Sequence, residues 1–390
     1  MRKLAAAVAL AALAGFAGSA GAQTVRGVTD NEIVIGTYTD LSGVTAMWGV
    51  NNTNSYRMVF DEVNAEGGIN GRKIRYIVED NQYQIPRTVH AANKLINRDG
   101  VFLMVANGGT PMNNAVMPDQ LAKGVPNVFP LTSARSMYEP LHPLKFGLAS
   151  SYYDQMRAGV KLFAEQRGKK RICAMYQDTD FGRDVMDGAR DQMKVENLTL
   201  VAEAAHRPTD TDFSAGVAKL HDANCDLIVI GGIVRDTIQI ISAVRKSGWN
   251  VDMLGQAASY DSAVAAAPGG ITEGFFSMTP VLFVGADDKR PAVQAFVTKY
   301  KSLYGTSPNF AAQIGYTGAQ LLVLGLKNAG KDLNTDSFVK GMESIKGYED
   351  IFGSPKMSFS PTKHQGSNES FLAIVHDGKW EPVSTTPVAY

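Results

Sequence analysis

A chain of 390 residues is longer than a single hydrophobic core usually serves, so two domains are expected. Its 38 basic side chains balance 38 acidic ones, and without Arg2 and Lys3 the net charge is −2. No polyanionic partner is expected, because a nucleic-acid protein needs a basic stripe to neutralise phosphates; here only Lys169-Lys170-Arg171 cluster, as a solvated turn before a strand would.

In chain order, Arg2 and Lys3 precede an apolar run over 4–16 and the small residues Ala20-Gly21-Ala22. This is the pattern of a secretory signal peptide, residues 1–22, cleaved near Ala22. With no Cys at the cleavage site, the exported protein is expected free in the periplasm rather than lipid-tethered. The apolar run is too short and too Ala-rich for a membrane span, and no later stretch is long enough.

Short apolar runs then alternate with segments of helical period. The predicted order is strand 33–37, a helix with Tyr56, Val59, Phe60 and Val63 on one face, strand 73–79, helix 87–98, strand 102–105, helix 113–123 and strand 127–129. This βαβ alternation predicts a parallel sheet covered by helices. After a loop at 146–151 a second series begins: helix 153–166, strand 171–176, helix 183–194, strand 200–204, helix 213–223, strand 227–230, helix 237–247 and strand 253–255. Past Gly274 come long helices at 291–304, 311–328 and 335–344, expected as extra cover for the first lobe, then late strands near Met357 and over 371–376. Cys173 and Cys225 fall in or beside strand-like segments; they pair, as an oxidising compartment permits, or serve separately as small core residues. Neither has a His at metal-ligand spacing.

In open parallel sheets, ligands bind beyond the carboxyl ends of the strands. The loops to inspect are therefore 40–49, 107–112, 131–136, 177–182, 231–236 and 256–261. Asn107-Gly108-Gly109-Thr110-Pro111 follows a strand and opens a helix, so its N–H groups and the Thr110 hydroxyl either meet an anion or merely cap the helix. Leu131-Thr132-Ser133 ends the next strand and adds a second hydroxyl pair; such neutral donors, with helix-end dipoles, suffice for a carboxylate without Arg. Trp48 is expected in a loop, as a ligand wall or packed over the sheet edge. Tyr152, Tyr153, Phe181 and Tyr260 give the second lobe's loops an aromatic character, although most aromatic residues are core. Asp178, Asp180 and Asp184 fit solvated acids at a helix start better than a cation site. Enzyme motifs are missing: there is no nucleophile elbow, no HExxH and no CxxC, and His90, His142, His206, His221, His364 and His376 are scattered. No cofactor or metal is expected.

Read in order, several short segments together resemble one family. They are Glu32-Ile33-Val34-Ile35-Gly36 with Leu41-Ser42-Gly43, 63–72 (VNAEGGINGR), Gly109-Thr110, Gly124-Val125-Pro126, Asp180-Phe181-Gly182-Arg183, Thr211-Asp212-Phe213 and Glu273-Gly274. The chain resembles the branched-chain amino acid binding proteins, the type I periplasmic solute-binding proteins of ABC importers, over nearly its whole mature length. The resemblance implies two Rossmann-like α/β lobes with parallel sheets, 27–147 plus 277–357 and 148–276 plus 358–390, joined by a three-strand hinge with the ligand between them. It also implies that Thr110 and the loop of Leu131, Thr132 and Ser133 hold a carboxylate, with Trp48 covering the ligand and Phe181 facing it. Where relatives hold an ammonium with a carboxylate and an aromatic, this sequence has Ala257 and Ile233.

The expected ligand is therefore a small carboxylate without an α-amino group, an aromatic acid such as a benzoate or phenylpropenoate first of all, with Trp48, Tyr153 and Phe181 as walls. A hydrophobic amino acid is the alternative, should Asp236 or Asp261 reach the cleft. Membrane permease and ATPase subunits are the expected partners of a monomer that closes about its hinge; a subunit that presents the same clamp to a membrane receptor is a reading of another class.

Overall fold

The computed structural model describes residues 25–390, so the predicted signal peptide lies outside the described residues. Strands β1 (Glu32–Thr39), β2 (Lys73–Asp80), β3 (Leu103–Val105), β4 (Asn127–Val128) and β5 (Lys145–Phe146) form a parallel sheet in the order β2-β1-β3-β4-β5. All of β1 beyond Glu32 is buried, as an apolar strand covered on both faces must be. Helices α1 (Ala46–Ala65), α2 (Ile85–Asn93) and α3 (Thr110–Ala122) connect these strands.

The second series gives α4 (Tyr152–Arg167), β6 (Ile172–Gln177), α5 (Asp180–Val195), β7 (Ala202–His206), α6 (Ser214–Asp222), β8 (Leu227–Gly231), α7 (Val234–Lys246), β9 (Asp252–Gly255), α8 (Ser262–Ala265) and β10 (Phe276–Thr279). Two late strands, β11 (Phe371–His376) and β12 (Lys379–Pro382), complete a seven-stranded sheet in the order β12-β11-β10-β9-β8-β6-β7. This sheet is parallel from β7 to β10, but β11 runs antiparallel to β10 and turns back into β12. The hairpin, missing from the sequence reading, is made by Asp377-Gly378, both at positive φ, the dipeptide that a two-residue turn favours. Met357, expected in a strand, makes only an isolated bridge to Tyr348.

Helices α9 (Pro291–Tyr304), α10 (Phe310–Asn328) and α11 (Thr335–Glu343) return to the first sheet. There Leu321, Leu322 and Phe338 enter the core with Ile33, Phe60 and Phe102, which is the cover expected of them. The chain passes between the sheets three times: from β5 to α4, from β10 to α9, and from Met357 to β11. Because β10 pairs through Thr279 with β11, the second passage begins after Thr279, not at 277. The first and third passages are bonded to each other, Gly147 donating to His364 O at 2.8 Å and Gly366 to Gly147 O at 3.0 Å. A Cβ on Gly366 would lie 2.2 Å from Leu148 O, so this close approach requires glycine.

Cys173 on β6 and Cys225 just before β8 form a disulfide. It ties neighbouring strands of one sheet and spans 52 residues of sequence. Replacing both with Ala is expected to lower unfolding free energy by about 2–4 kcal/mol in denaturant titration, because a loop of that length loses entropy when closed in the unfolded chain.

Candidate functional site

The strand ends place the site. A cleft of about 1090 Å³, its open mouth included, is lined by Thr39 at the end of β1, Tyr83 after β2, Gly108 to Thr110 after β3, Pro130 to Ala134 after β4 and Gly147 to Ala149 after β5. From the other half come Tyr152, Phe181 after β6, Ile233 after β8, Ala257 after β9 and Pro280 after β10. These segments leave the carboxyl ends of strands, where αβ geometry opens a crevice, and Ile314 of α10 completes the lining.

Thr110 is the first residue of α3; Gly109 precedes it at φ 85°, and the Thr110 side chain does not cap its helix. Its hydroxyl instead meets that of Thr132 at 2.6 Å. The same loop is tied to the other half of the molecule by the main-chain N–H of Tyr152, which donates to Ser133 O at 2.7 Å. The N–H groups of Thr110, Thr132 and Ser133 make no hydrogen bond within the described residues. Those donors, at a helix start and in an irregular loop, are what an oxyanion requires. Gly109 admits this geometry because a Cβ there would come within 2.8 Å of the Tyr83 ring.

Among the described residues, no Asp, Glu, Lys, Arg or His lines the cleft. Burial pushes the phenols of Tyr83, Tyr138 and Tyr152 up, so all three stay neutral around pH 7. The walls are aromatic and aliphatic: Phe181 is buried with its ring edge-on to Tyr152 at 5.0 Å, and Trp48 backs onto Phe310 at 5.7 Å. Trp48 sits in the first turn of α1 rather than in a loop. The loop before it is folded by Asp40, whose carboxylate accepts the N–H of Gly43 at 2.5 Å and that of Thr45 at 2.7 Å.

Trp48, Gly109, Thr110, Leu131, Thr132, Ser133, Phe181, Ile233 and Ala257 therefore all reach the cleft. Tyr153 does not. α4 begins at Tyr152, so successive side chains diverge by about 100°; Tyr152 turns inward and Tyr153 outward, its hydroxyl donating to Asp191 at 3.0 Å and its ring stacked under the Arg135 guanidinium. Asp236 pairs with Arg235 and accepts from Gln177, and Asp261 caps α8, so neither lines the cleft. Tyr260 is buried between Phe310 and Trp380. Asp178 and Asp180 are solvent-exposed acids as expected, although Asp180 also accepts from Asn114 Nδ2 at 2.9 Å; Asp184 is not, being nearly buried and accepting the Arg135 N–H at 3.1 Å, both bonds across the two halves. Tyr83 and Tyr138 went unread because each follows a strand or turn with no motif of its own; Tyr83 and Gln82, both at positive φ, turn the chain after β2.

Two α/β sheets meeting over a cleft at their strand ends make this a periplasmic binding protein of type I fold. The match to known proteins goes further: the family described as "Periplasmic binding protein" matches residues 32–379, and the chain belongs to that family. The Leucine-specific-binding protein of Salmonella typhimurium is 22% identical over 326 residues, 83% of this chain and 87% of that one. Among solved structures, the fatty acid ABC transporter substrate-binding protein from Thermomonospora curvata is similar with a TM-score of 0.82 at 23% identity, covering 94% of this chain and 95% of that one. A solute-binding protein of an ABC transporter from Rhodopseudomonas palustris BisB5, in complex with 3,4-dihydroxy benzoic acid, gives 0.78 at 20%, covering 93% and 98%.

Burial at the edge of the site pushes the Asp184 carboxyl up to about 7, outweighing the nearby Arg135. An acid raised by folding holds its proton in the folded state while the unfolded chain has lost it, so stability falls as pH rises from the ordinary carboxyl range to about 7. Asp184→Asn removes that penalty. Its melting temperature is expected to exceed the wild type's by about 2–4 °C at pH 8 and to match it at pH 4, in scanning calorimetry at both pH values.

Proposed function

We propose that this protein is the exported, periplasmic substrate-binding component of an ABC importer, and that it captures a small carboxylate lacking an α-amino group, an aromatic acid foremost. The carrying observation is the chemistry of the cleft lining: a cluster of hydroxyl and N–H donors at Thr110, Thr132 and Ser133, aromatic walls at Trp48 and Phe181, and no ionised side chain in the lining among the described residues. Hydroxyls that bond one another can turn their protons to an oxyanion without leaving a counter-charge desolvated.

An α-ammonium has no such provision. At Ala257 and Ile233, the positions that the family resemblance matches to a carboxylate and an aromatic, there is only apolar surface, and Asp236 and Asp261 of that half are engaged elsewhere. A buried ammonium without an anionic partner costs several kcal/mol, against the roughly 8 kcal/mol of a micromolar complex. The ligands in the Thermomonospora and Rhodopseudomonas names, a fatty acid and 3,4-dihydroxy benzoic acid, are carboxylates without an α-amine and support this reading. Between them, the rings of Trp48, Tyr83, Tyr152 and Phe181 favour a flat aromatic body. The Salmonella relative's leucine favours the second reading, a hydrophobic amino acid.

In the mechanism, the carboxylate docks on Thr110, Thr132 and Ser133. Each sheet with its helices then moves as one lobe about the three passages, and contacts from Tyr152, Phe181, Ile233 and Ala257 form on closure and favour the closed state. The permease recognises that closed shape, and ATP hydrolysis by its partner subunits drives release and uptake.

Matched pairs test the ligand class: isothermal titration with 3-phenylpropanoate and phenylalanine, and with 4-methylpentanoate and leucine. Each acid is expected to bind and each amino acid to fail; tight binding of leucine with the acids inert would reverse the reading. Thr110→Ala is expected to weaken the acid about 10- to 150-fold, the loss of one charge-assisted hydrogen bond of roughly 1.5–3 kcal/mol.

A further inference from the structure

Beyond the lining, one cluster joins the two halves without touching the cleft. Arg135 lies between β4 and β5, two residues after Ser133, in the loop that carries the donors Thr132 and Ser133. Its main-chain N–H donates to Asp184 Oδ2 on α5 at 3.1 Å, and its guanidinium lies 3.2 Å from Asp187 Oδ2 and 3.7 Å from Asp184 Oδ1. The same guanidinium stacks on the Tyr153 ring of α4, 4.1 Å from its centroid. Beside it, Ser136 Oγ donates to Asn114 Oδ1 and Asn114 Nδ2 donates to Asp180, again on α5. None of these residues lies on the three passages between the sheets, although Tyr153 directly follows the first, so parting the halves about those passages would pull on these contacts.

We infer that Arg135 is a closure latch, a positioning residue that touches no ligand but ties the carboxylate-binding loop to α5 and so governs how long the closed cleft holds its contents. The inference rests on the clamp reading above but not on the identity of the ligand.

Three features separate this cluster from an ordinary surface ion pair, which contributes little. Asp184 is nearly buried, its side chain 11% exposed. The bond it accepts comes from the main chain of the loop itself, so it fixes the backbone that aims Thr132 and Ser133. Finally, the Tyr153 platform holds the guanidinium flat, and that ring is itself fixed by hydrogen bonds to Asp191 and Arg157. An interaction made only in the closed state shifts the closing equilibrium by its full free energy and is felt mainly in the rate of release.

The test is stopped-flow tryptophan fluorescence on the mature protein, wild type against Arg135→Ala and Arg135→Lys, with 3,4-dihydroxybenzoate and with leucine. For whichever compound the wild type binds, Arg135→Ala is expected to raise the dissociation rate about fivefold with the association rate unchanged within twofold. Arg135→Lys is expected to restore at least part of the loss, and the ligand-free melting temperature to stay put. A dissociation rate equal to the wild type's overturns the latch, as does a ligand-free melting temperature that falls as far as the loaded one. Should the wild type bind neither compound, that result counts against the ligand reading alone. The latch is then decided by small-angle scattering of the ligand-free proteins, where a larger radius of gyration for Arg135→Ala supports it and an unchanged one overturns it.

Discussion

The 2.6 Å hydrogen bond between the hydroxyls of Thr110 and Thr132 joins two loops that leave neighbouring strands, and the Tyr152 N–H, donating to Ser133 O at 2.7 Å, ties the second of them to the other half of the molecule. Hydroxyls suit this place because each can donate or accept, and because none brings a charge that must be desolvated when the halves meet. An arginine here would grip an anion harder but would need an anionic partner of its own. The lining thus offers paired hydroxyls and unpaired main-chain N–H donors with no charged side chain among the described residues.

That chemistry depends on close backbone approach. Gly109 brings the start of α3 under Tyr83, and Gly366 lets two passages between the sheets run within hydrogen-bonding distance. Around these points, the first sheet is held by α1, α10 and α11, while the disulfide and the β11–β12 hairpin stiffen the second. Rigid halves joined by slender passages concentrate motion in the passages, and contacts across the cleft rim then decide how the halves sit. Arg135, Asn114, Asp180 and Asp184 occupy that rim.

Much of this was legible in the residues because it rests on local periodicity. The apolar strand 33–37, the shared face of Tyr56, Val59, Phe60 and Val63, and the alternation of strand and helix follow from backbone geometry, and with them the loops where a ligand must bind. Thr110, Thr132 and Ser133 could be picked out because a hydroxyl at the junction of strand and helix has few local uses besides capping, and Thr110 does not cap. Tyr153 was misjudged because one residue's difference in where α4 begins rotates a side chain by about 100°, and a helix start is not fixed by period. Asp184 and Arg135 escaped for another reason: an acid in the first turns of a helix looks the same in sequence whether water or the other half of the molecule faces it.

By itself the sequence determined the two α/β halves and the polar loops between strand and helix, since these are matters of composition, period and position. Tertiary structure alone decided that Cys173 and Cys225 pair, that Tyr152 rather than Tyr153 walls the cleft, and that Asp180 and Asp184 bridge it. Those facts are contacts between residues far apart in the chain, and no local pattern encodes which distant surface a side chain will meet.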